Sequence, residues 1–197
     1  MSLLEVKNIH TYYGKIHALK GISITVNEGE IVTLIGSNGA GKSTILKMIS
    51  GVLKPKSGSV NVVPKLSIAT AHQVIRPEDR ELTVEEFFQK NFREKQYDIG
   101  RKIDAVLEIV NLKAPHDKII KTFSGGQQAR LLLASAIIQN PDLLLLDEPT
   151  NNLDKAGIAH LTDFLISYPK TCIVISHDED FLNAFTEGVL YLDVFTH

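Results

Sequence analysis

The sequence predicts an α/β protein built on a mostly parallel sheet, and three observations support that fold class. The runs at residues 143–146 and 171–175 are continuously apolar, which is typical of strands buried on both faces of a parallel sheet. Segments with helical periodicity separate such runs, for example around Ile158, Leu161 and Leu165. A chain of 197 residues can also bury a substantial core, in one domain or in one domain with a small lobe.

The composition is ordinary for a globular protein and argues against several classes. Hydrophobic residues make up 44% and charged residues 22%, and no apolar run approaches the ~18 residues of a membrane-spanning helix. The N-terminus lacks the pattern of a signal peptide. The net charge is −2 with scattered Lys and Arg, so we predict no direct nucleic-acid binding. The single cysteine, Cys172, excludes an internal disulfide, suits a reducing cytoplasm and is expected to be buried.

The first two strands are predicted to flank a loop. Residues 3–8 and 22–26 have alternating or apolar patterns, and residues 11–15 are predicted as the loop. Tyr12 and Tyr13 precede a glycine there, so an exposed ring could stack on a nucleotide base. Two tyrosines in a loop more often pack against the protein itself, and both interpretations stay open.

The most informative stretch spans residues 30–44. A β-branched apolar run predicts a buried strand, and the segment after it matches G-x-x-x-x-G-K-[ST] without a mismatch. Glycines let backbone N–H groups approach phosphate oxygens, and a helix beginning near Gly41 directs its positive end at the same anion. Lys42 is expected to reach the β- and γ-phosphates, and Ser43 to ligate Mg²⁺. The alternative is an ordinary strand–turn–helix joint. The expected nucleotide-binding residues are Ser37, Asn38, Gly39, Ala40, Gly41, Lys42, Ser43 and Thr44.

Short elements are predicted between this loop and the middle of the chain. A helix over residues 44–50 ends at Gly51, a suitable residue to follow a helix C-terminus. The segments after it are a turn at residues 54–58, short strands at 59–63 and 66–71, and a polar loop at 77–80.

Residues 78–120, approximately, have the pattern of a helical lobe with its own apolar faces. Thr83 and Glu86 match a capping box. The apolar positions of the two expected helices are Val84, Phe87, Phe88 and Phe92, followed by Ile99, Ile103, Val106, Leu107 and Val110. We therefore predict one domain over residues 1–197, with a core at about residues 1–77 and 121–197.

A second anion-binding segment is predicted at the start of the next helix, residues 127–138. Ser124 and Gln127 again match a capping box. Helix propensity does not favour the intervening Gly125 and Gly126. Two glycines and a hydroxyl at a positive helix end can bind an anion, and a simply capped helix is the alternative.

Polar residues follow two of the buried strands. Asp147 and Glu148 end the run at 143–146, and adjacent buried carboxylates without a partner are costly. Binding of a Mg²⁺-bound polyphosphate would explain why two carboxylates stand there, with Asp147 near the metal and Glu148 polarising a water. His177 follows the strand at 171–175 and shares the sheet edge with Ser43, which favours contact with the γ-phosphate over a structural role. Asp178 is expected to cap a helix at 179–186, before a last strand at 189–194.

These motifs, in order, resemble those of the ATP-binding cassette (ABC) ATPases. The matching segments are the phosphate loop 36–43, the Q-loop Gln73, the signature 124–127, the Walker B strand 143–148, the D-loop 151–154 and the switch His177. The resemblance implies a P-loop NTPase (RecA-like) core, an N-terminal antiparallel β-subdomain and a helical lobe. It also implies ATP and Mg²⁺ as ligands, adenine stacking on Tyr13, and a role for Gln73 in catalysis and metal binding. Phe123 stands where the family signature more often has Leu.

The two parts of the chain resemble different branches of that family. Residues 1–58 are similar to the ATPase subunit of a branched-chain amino-acid importer, and the chain from about Leu66 is similar to an ABC-F protein. ABC-F chains normally hold two cassettes, whereas this sequence has one. Our hypothesis is a recombined or engineered chimera, or a truncated cassette.

The resemblance also implies a partner. One cassette holds half of each active site, and a second copy or a homologous cassette, placed head to tail, would supply Ser124 and Gly126. The leading interpretation is therefore an ATPase acting as a motor or switch. One alternative is the energy-coupling subunit of a membrane permease, held at the inner face of the membrane through Gln73 and the helical lobe. Another alternative is a domain that binds ATP but hydrolyses it only slowly. The choice between ATP and GTP stays open as well, because Tyr13 could stack on either base.

Overall fold

The computed structural model describes residues 1–13, 16–37, 39–71, 74–186 and 188–192. The chain forms two compact units. The first comprises Met1–Ile68, Asp142–Glu148 and Pro169–His197, and the second comprises Ala69–Pro141 and Pro149–Tyr168. The predicted helical lobe falls inside the second unit, while the predicted division into core and lobe stays a prediction.

The described chain contains eight strands and six α-helices, which alternate strictly from β6 onward. In order they are β1 (Ser2–Tyr13), β2 (Ile16–Asn27), β3 (Ile31–Gly36), α1 (Lys42–Ile49), β4 (Ser57–Val62), β5 (Ile68–Thr70), α2 (Val84–Gln89), α3 (Ile99–Ile109), α4 (Gly125–Ile137), β6 (Leu143–Asp147), α5 (Lys155–Ile166), β7 (Thr171–Ile175), α6 (Glu179–Asn183) and β8 (Gly188–Leu192). Helices α4 and α6 and strands β5 and β8 differ by a few residues from the predicted ranges, as element ends commonly do.

The first unit contains an antiparallel sheet of order β2-β1-β4. The predicted loop at residues 11–15 is wrong for residues 11–13, because β1 continues to Tyr13 and pairs Tyr12 with His17 and Tyr13 with Ile16. Aromatic and β-branched residues fit a pleated, half-buried surface, so this Thr-Tyr-Tyr segment extends the strand. Gly14 and Lys15 lie outside the described residues.

The first unit also contains strands β6, β7, β3 and β8 of the predicted parallel sheet, whose full order is β5-β6-β7-β3-β8. Strands β6, β7, β3 and β8 pair in parallel. The leucines of β6 have no exposed surface, and Cys172 on β7 is fully buried, as predicted. One apolar core joins both sheets and α1; it includes Leu4, Val26, Leu34, Ile45 and Ile173. The α/β class and both sheets are therefore confirmed.

The second unit is built on helices whose apolar positions were predicted. The Thr83–Glu86 capping box is present, with the Glu86 N–H donating to Thr83 Oγ1 at 3.2 Å. The buried residues of α2 and α3 include Val84, Phe87, Phe88, Ile103, Val106 and Leu107. Phe92 does not continue the α2 face, since the helix ends at Gln89 and Phe92 is only half-buried.

The predicted polar loop at residues 77–80 is a short 3-10 turn that contains a buried charge. Asp79 is 3% exposed, and its carboxylate pairs with Arg76 at 3.0 Å and with Lys90. Two cations beside one buried carboxylate compensate its loss of hydration. Among the described residues, we find no helix with the length and apolar character needed to cross a membrane.

Candidate functional site

Strands β6, β7 and β3 of the first unit lie side by side and end near one edge of the parallel sheet, with β3 ending at Gly36 just after Leu34. Asp147 of β6 pairs with Ile175 of β7, and Ile175 pairs with Leu34 of β3. Because these strands run in the same direction, the segments after them leave the sheet at one edge. Those segments are the phosphate loop, Glu148 and His177, so the fold gathers three predicted site segments as expected.

The phosphate loop depends on Gly41. This residue is the N-cap of α1 with φ +90°, and a Cβ there would overlap the side chain of Leu19. Both the left-handed conformation and the close approach therefore require glycine. Gly39 has φ +87°, but a Cβ on it would meet nothing within 4 Å, so only its conformation favours glycine. Asn38 lies outside the described residues.

Lys42 lies against the loop that precedes it. Its side chain is 7% exposed, and Nζ donates to the carbonyl oxygens of Gly36 at 2.6 Å and Ser37 at 3.1 Å. A buried ammonium needs such acceptors because its charge is costly to remove from water. The cation is thereby held within the segment that was predicted to bind phosphate.

The N-terminus of α1 begins at a glycine. Gly41 provides no side-chain cap, and the first turn contains no acidic residue. Unpaired N–H groups and the helix dipole favour an anion at such an end. Ser43 lies half-buried in that first turn, beside the buried Thr44. This is the arrangement that the sequence predicted for a phosphate site.

Glu148 leaves β6 in a conformation that is uncommon for its residue type. Its φ is +51°, and its N–H donates to the Ile175 carbonyl at 2.8 Å. A left-handed conformation outside glycine costs about 1–3 kcal/mol and persists where the surrounding structure holds it. In this turn the bond to β7 provides that support, and the Glu148 side chain is 22% exposed.

Glu148 and His177 are in contact. Nε2 of His177 lies 3.2 Å from Oε1 of Glu148, and the His177 side chain is 51% exposed. The residues on both sides of His177 are anchored: the Asp178 N–H donates to Ser176 Oγ at 3.1 Å, and Asp178 Oδ1 accepts from the Phe181 N–H. The predicted cap of α6 is thus confirmed, and the two predicted catalytic side chains lie together.

Ser124, Gly125 and Gly126 are exposed at the start of α4 in the second unit. The capping box with Gln127 is present, with Ser124 Oγ accepting from the Gln127 N–H at 3.3 Å. A Cβ at Gly125 or Gly126 would meet nothing within 4 Å, and neither residue has a positive φ. The fold of this chain therefore does not itself require glycine at these positions.

Arg130 is a residue that the sequence analysis missed. From α4 it donates to the Asn152 carbonyl at 3.1 Å and to the Asn111 carbonyl at 2.9 Å. Asn111 in turn donates to Asp154, the N-cap of α5, at 3.2 Å. These bonds attach the D-loop to α4 and to the segment that follows α3 in the second unit. An arginine within a helical pattern has no local signal for such contacts, since its partners are distant in sequence.

A magnesium site is compatible with the donors present. Among the described residues, no three His, Cys, Asp or Glu side chains cluster as a metal site. Mg²⁺ usually takes one or two protein oxygens together with phosphates and waters, so a hydroxyl and a carboxylate suffice. Ser43 and Asp147 offer those donors at the ends of neighbouring segments. Gln73, also predicted as a ligand, and the Tyr13 side chain lie outside the described residues.

Comparison with known proteins shows the family of the chain. A family model described as ABC transporter matches residues 19–151. The zinc import ATP-binding protein ZnuC of Buchnera aphidicola (subsp. Schizaphis graminum) is 34% identical over 98% of this chain and 82% of its own length. The ATP-binding protein Uup of the same organism is 34% identical over 98% of this chain, which spans 33% of Uup.

A solved structure is similar in fold. The ATP-binding cassette MJ0796, a dimer in a post-hydrolysis state bound to ADP and Pi, superimposes with a TM-score of 0.80 at 26% identity. The match covers 96% of this chain and 94% of that one. Both sequence relatives align across the predicted junction between the halves, so the comparisons give the hypothesis of a chimera no support.

Proposed function

The chain belongs to the ABC transporter family of ATP-binding, ATP-hydrolysing domains, and on that premise we propose that it hydrolyses Mg²⁺-ATP with Glu148 as the general base. The observation that carries the proposal is the 3.2 Å contact between Glu148 and His177. It lies at the sheet edge where the phosphate loop also emerges. A carboxylate at that edge would orient a water for in-line attack on a γ-phosphate.

The phosphate loop provides binding and charge neutralisation. Backbone N–H groups at the start of α1 would donate to phosphate oxygens, and the Lys42 ammonium would exchange its carbonyl acceptors for the β- and γ-phosphates. Ser43 and Asp147, with Gln73, are the proposed Mg²⁺ ligands. When bound, Mg²⁺ neutralises phosphate charge. Tyr13, at the end of β1, is the proposed stacking partner of the base.

Glu148 and His177 have separate proposed roles. The Glu148 carboxylate accepts a proton from the attacking water. His177 can donate its Nε2 hydrogen to Glu148 Oε1, which orients the carboxylate, and it can also contact the γ-phosphate. Phosphoryl transfer depends mainly on such positioning, so small displacements of either group are expected to be costly.

A second cassette is proposed to complete the site. The exposed Ser124 and Gly126 would bind the γ-phosphate held by a head-to-tail partner. Support comes from two glycines that the chain's own packing does not require, and from the dimeric state of MJ0796. The partner is proposed to be a second copy or a homologous cassette.

A role as the energy-coupling subunit of a membrane permease is the second candidate. It is favoured by the similarity to a zinc import ATP-binding protein over 82% of that protein's length. In this role the chain would act at the cytoplasmic face of a membrane. Co-purification with a membrane protein would support this role over that of an independent motor or switch.

The test is to compare the wild type and Glu148→Gln by light scattering and by ATPase assay. We expect the variant to bind Mg²⁺-ATP, to stop turning over, and to accumulate as an ATP-dependent dimer. A matched control is Glu94→Gln, at an exposed glutamate of the second unit, which should keep wild-type turnover. Wild-type turnover by Glu148→Gln would show that Glu148 is not the base, and a monomer with bound ATP would refute the composite site.

A further inference from the structure

The antiparallel sheet of the first unit contains a pair of histidines that the proposed hydrolysis does not use. His10 lies on β1 and His17 on β2, and Nδ1 of His10 lies 3.1 Å from Nε2 of His17. The ring centroids are 5.2 Å apart with planes at 26°, so the nitrogens face each other almost edge to edge. Both residues are half-buried. We propose that His10 Nδ1 and His17 Nε2 together bind a divalent transition-metal ion.

Asn8 determines which nitrogen of His10 is available. Nε2 of His10 lies 3.3 Å from Asn8 Oδ1, an oxygen that can only accept, so Nε2 carries the hydrogen and Nδ1 the lone pair. Metal-binding imidazoles commonly have this arrangement, in which the second nitrogen donates to an oxygen. Asn8 is itself held, since its N–H donates to Ser23 Oγ at 2.9 Å.

Gly21 leaves the room that this contact needs. A Cβ at Gly21 would lie 3.0 Å from Asn8 Oδ1 and 3.5 Å from His10 Nε2. The φ of Gly21 is also +74°, where other residues are strained. The orientation of His10 therefore depends on a neighbour that lacks a side chain.

His17 is oriented by Tyr12. The two rings stack with centroids 4.1 Å apart and planes at 9°. Without metal, the His17 Nε2–H donates to His10 Nδ1. On binding, that hydrogen moves through solvent to Nδ1 of His17, the ring stays neutral, and both freed lone pairs bond to the ion. No proton is gained or lost overall.

The spacing suits one ion bound by both rings. Two nitrogens at about 2.0–2.1 Å from a metal, in adjacent positions, lie about 2.9–3.4 Å apart. The observed 3.1 Å falls in that range, and both rings must turn so that their lone pairs point at the ion and no longer at each other. Imidazole ligands favour Zn²⁺, Cu²⁺ or Ni²⁺ over Mg²⁺. Lys20, the cross-strand partner of His10, opposes binding by its positive charge, and water would fill the other positions.

The test is a calorimetric titration of the untagged full chain with Zn²⁺. We expect His10→Gln and His17→Gln each to lose one bound ion or to bind it at least ~10-fold more weakly. Asn8→Ala should weaken binding by a similar factor, whereas Lys20→Gln should strengthen it. His160→Gln is the matched control, because His160 is an exposed histidine that contacts the Glu108 carbonyl at 2.9 Å in the second unit.

Equal Zn²⁺ binding by the wild type and by His17→Gln would overturn the proposal. A second readout avoids any variant that folds poorly: imidazole nitrogen NMR of the wild type during the titration. Selective shifts of His10 Nδ1 and His17 Nε2 support the site, and unchanged signals from both rings overturn it. Neither readout involves ATP, so failure of this test leaves the proposed hydrolysis standing.

Discussion

The imidazole nitrogen Nε2 of His177 lies 3.2 Å from the carboxylate oxygen Oε1 of Glu148. The pairing follows from register, because Asp147 at the end of β6 pairs with Ile175 at the end of β7. The left-handed turn at Glu148 and the anchored neighbours of His177 then leave the two side chains facing each other. The contact therefore depends on backbone features of two strands and on neither side chain alone.

Replacement of His177 should slow turnover more than it weakens ATP binding. His177→Ala removes the donor that orients Glu148, and we expect kcat to fall about 100-fold with a smaller change in KM. His177→Gln keeps an N–H donor and should recover part of the loss. Steady-state kinetics measures both, with His160→Ala as a control that keeps wild-type values. An unchanged kcat in His177→Ala would rule out the positioning role.

Substitution of Gly41 should damage the phosphate loop through two effects. Gly41→Ala places a residue at φ +90°, which costs about 1–2 kcal/mol, and sets its methyl against Leu19. We expect a lower Tm and weaker ATP binding. Gly39→Ala is the matched comparison, because φ is +87° but no atom lies nearby. An equal decrease in Tm and in ATP affinity in both variants would contradict the importance of the Leu19 contact.

Gly126→Ala should impair ATP-dependent dimerisation without lowering the stability of the fold. A methyl there meets nothing within 4 Å, and alanine is favoured over glycine in helices by up to about 1 kcal/mol. We therefore expect unchanged or higher stability in thermal melts. Combined with Glu148→Gln, the same change should abolish ATP-dependent dimerisation, measured by light scattering. Gly100→Ala, in α3, is the control; dimerisation retained by Gly126→Ala would refute the role of the signature glycine.

Protonation of Asp142 at acid pH should lower the free energy of unfolding. The Ser67 hydroxyl at 2.6 Å, the Ser67 N–H and the nearby Lys170 lower the pKa of this carboxyl below its usual value. The ionised Asp142 carboxylate therefore contributes its full stabilisation above the pKa of the unfolded chain, near 3.9. That stabilisation is lost as the pH falls through the lowered pKa of the folded protein.

The measurement is urea unfolding of the wild type and Asp142→Asn as a function of pH. We expect the wild type to be more stable at neutral pH and the difference to shrink as the pH falls below about 4. Ser67→Ala should reduce this pH dependence because it removes the hydroxyl donor. A difference that stays constant into acid would show that the carboxylate charge is not involved.

Local pattern was enough to predict much of the architecture. The capping boxes at Thr83 and Ser124, the buried strand β6 and the helix α1 are all confirmed. Each depends on neighbouring residues, so a short window of sequence holds the necessary information. The extension of β1 to Tyr13 was missed, because that segment gains its pairing and its Tyr12–His17 stack only from β2.

The sequence alone determined the family of this protein and predicted the residues of its phosphate loop, because glycine spacing and strand–helix alternation are local properties. Only the tertiary structure decided that Glu148 and His177 touch, that Arg130 holds the D-loop, and that His10 and His17 face each other. Each of those contacts joins segments that are separate in sequence. Strand register and helix packing set the distances between these residues, and neither can be predicted from one segment of the sequence.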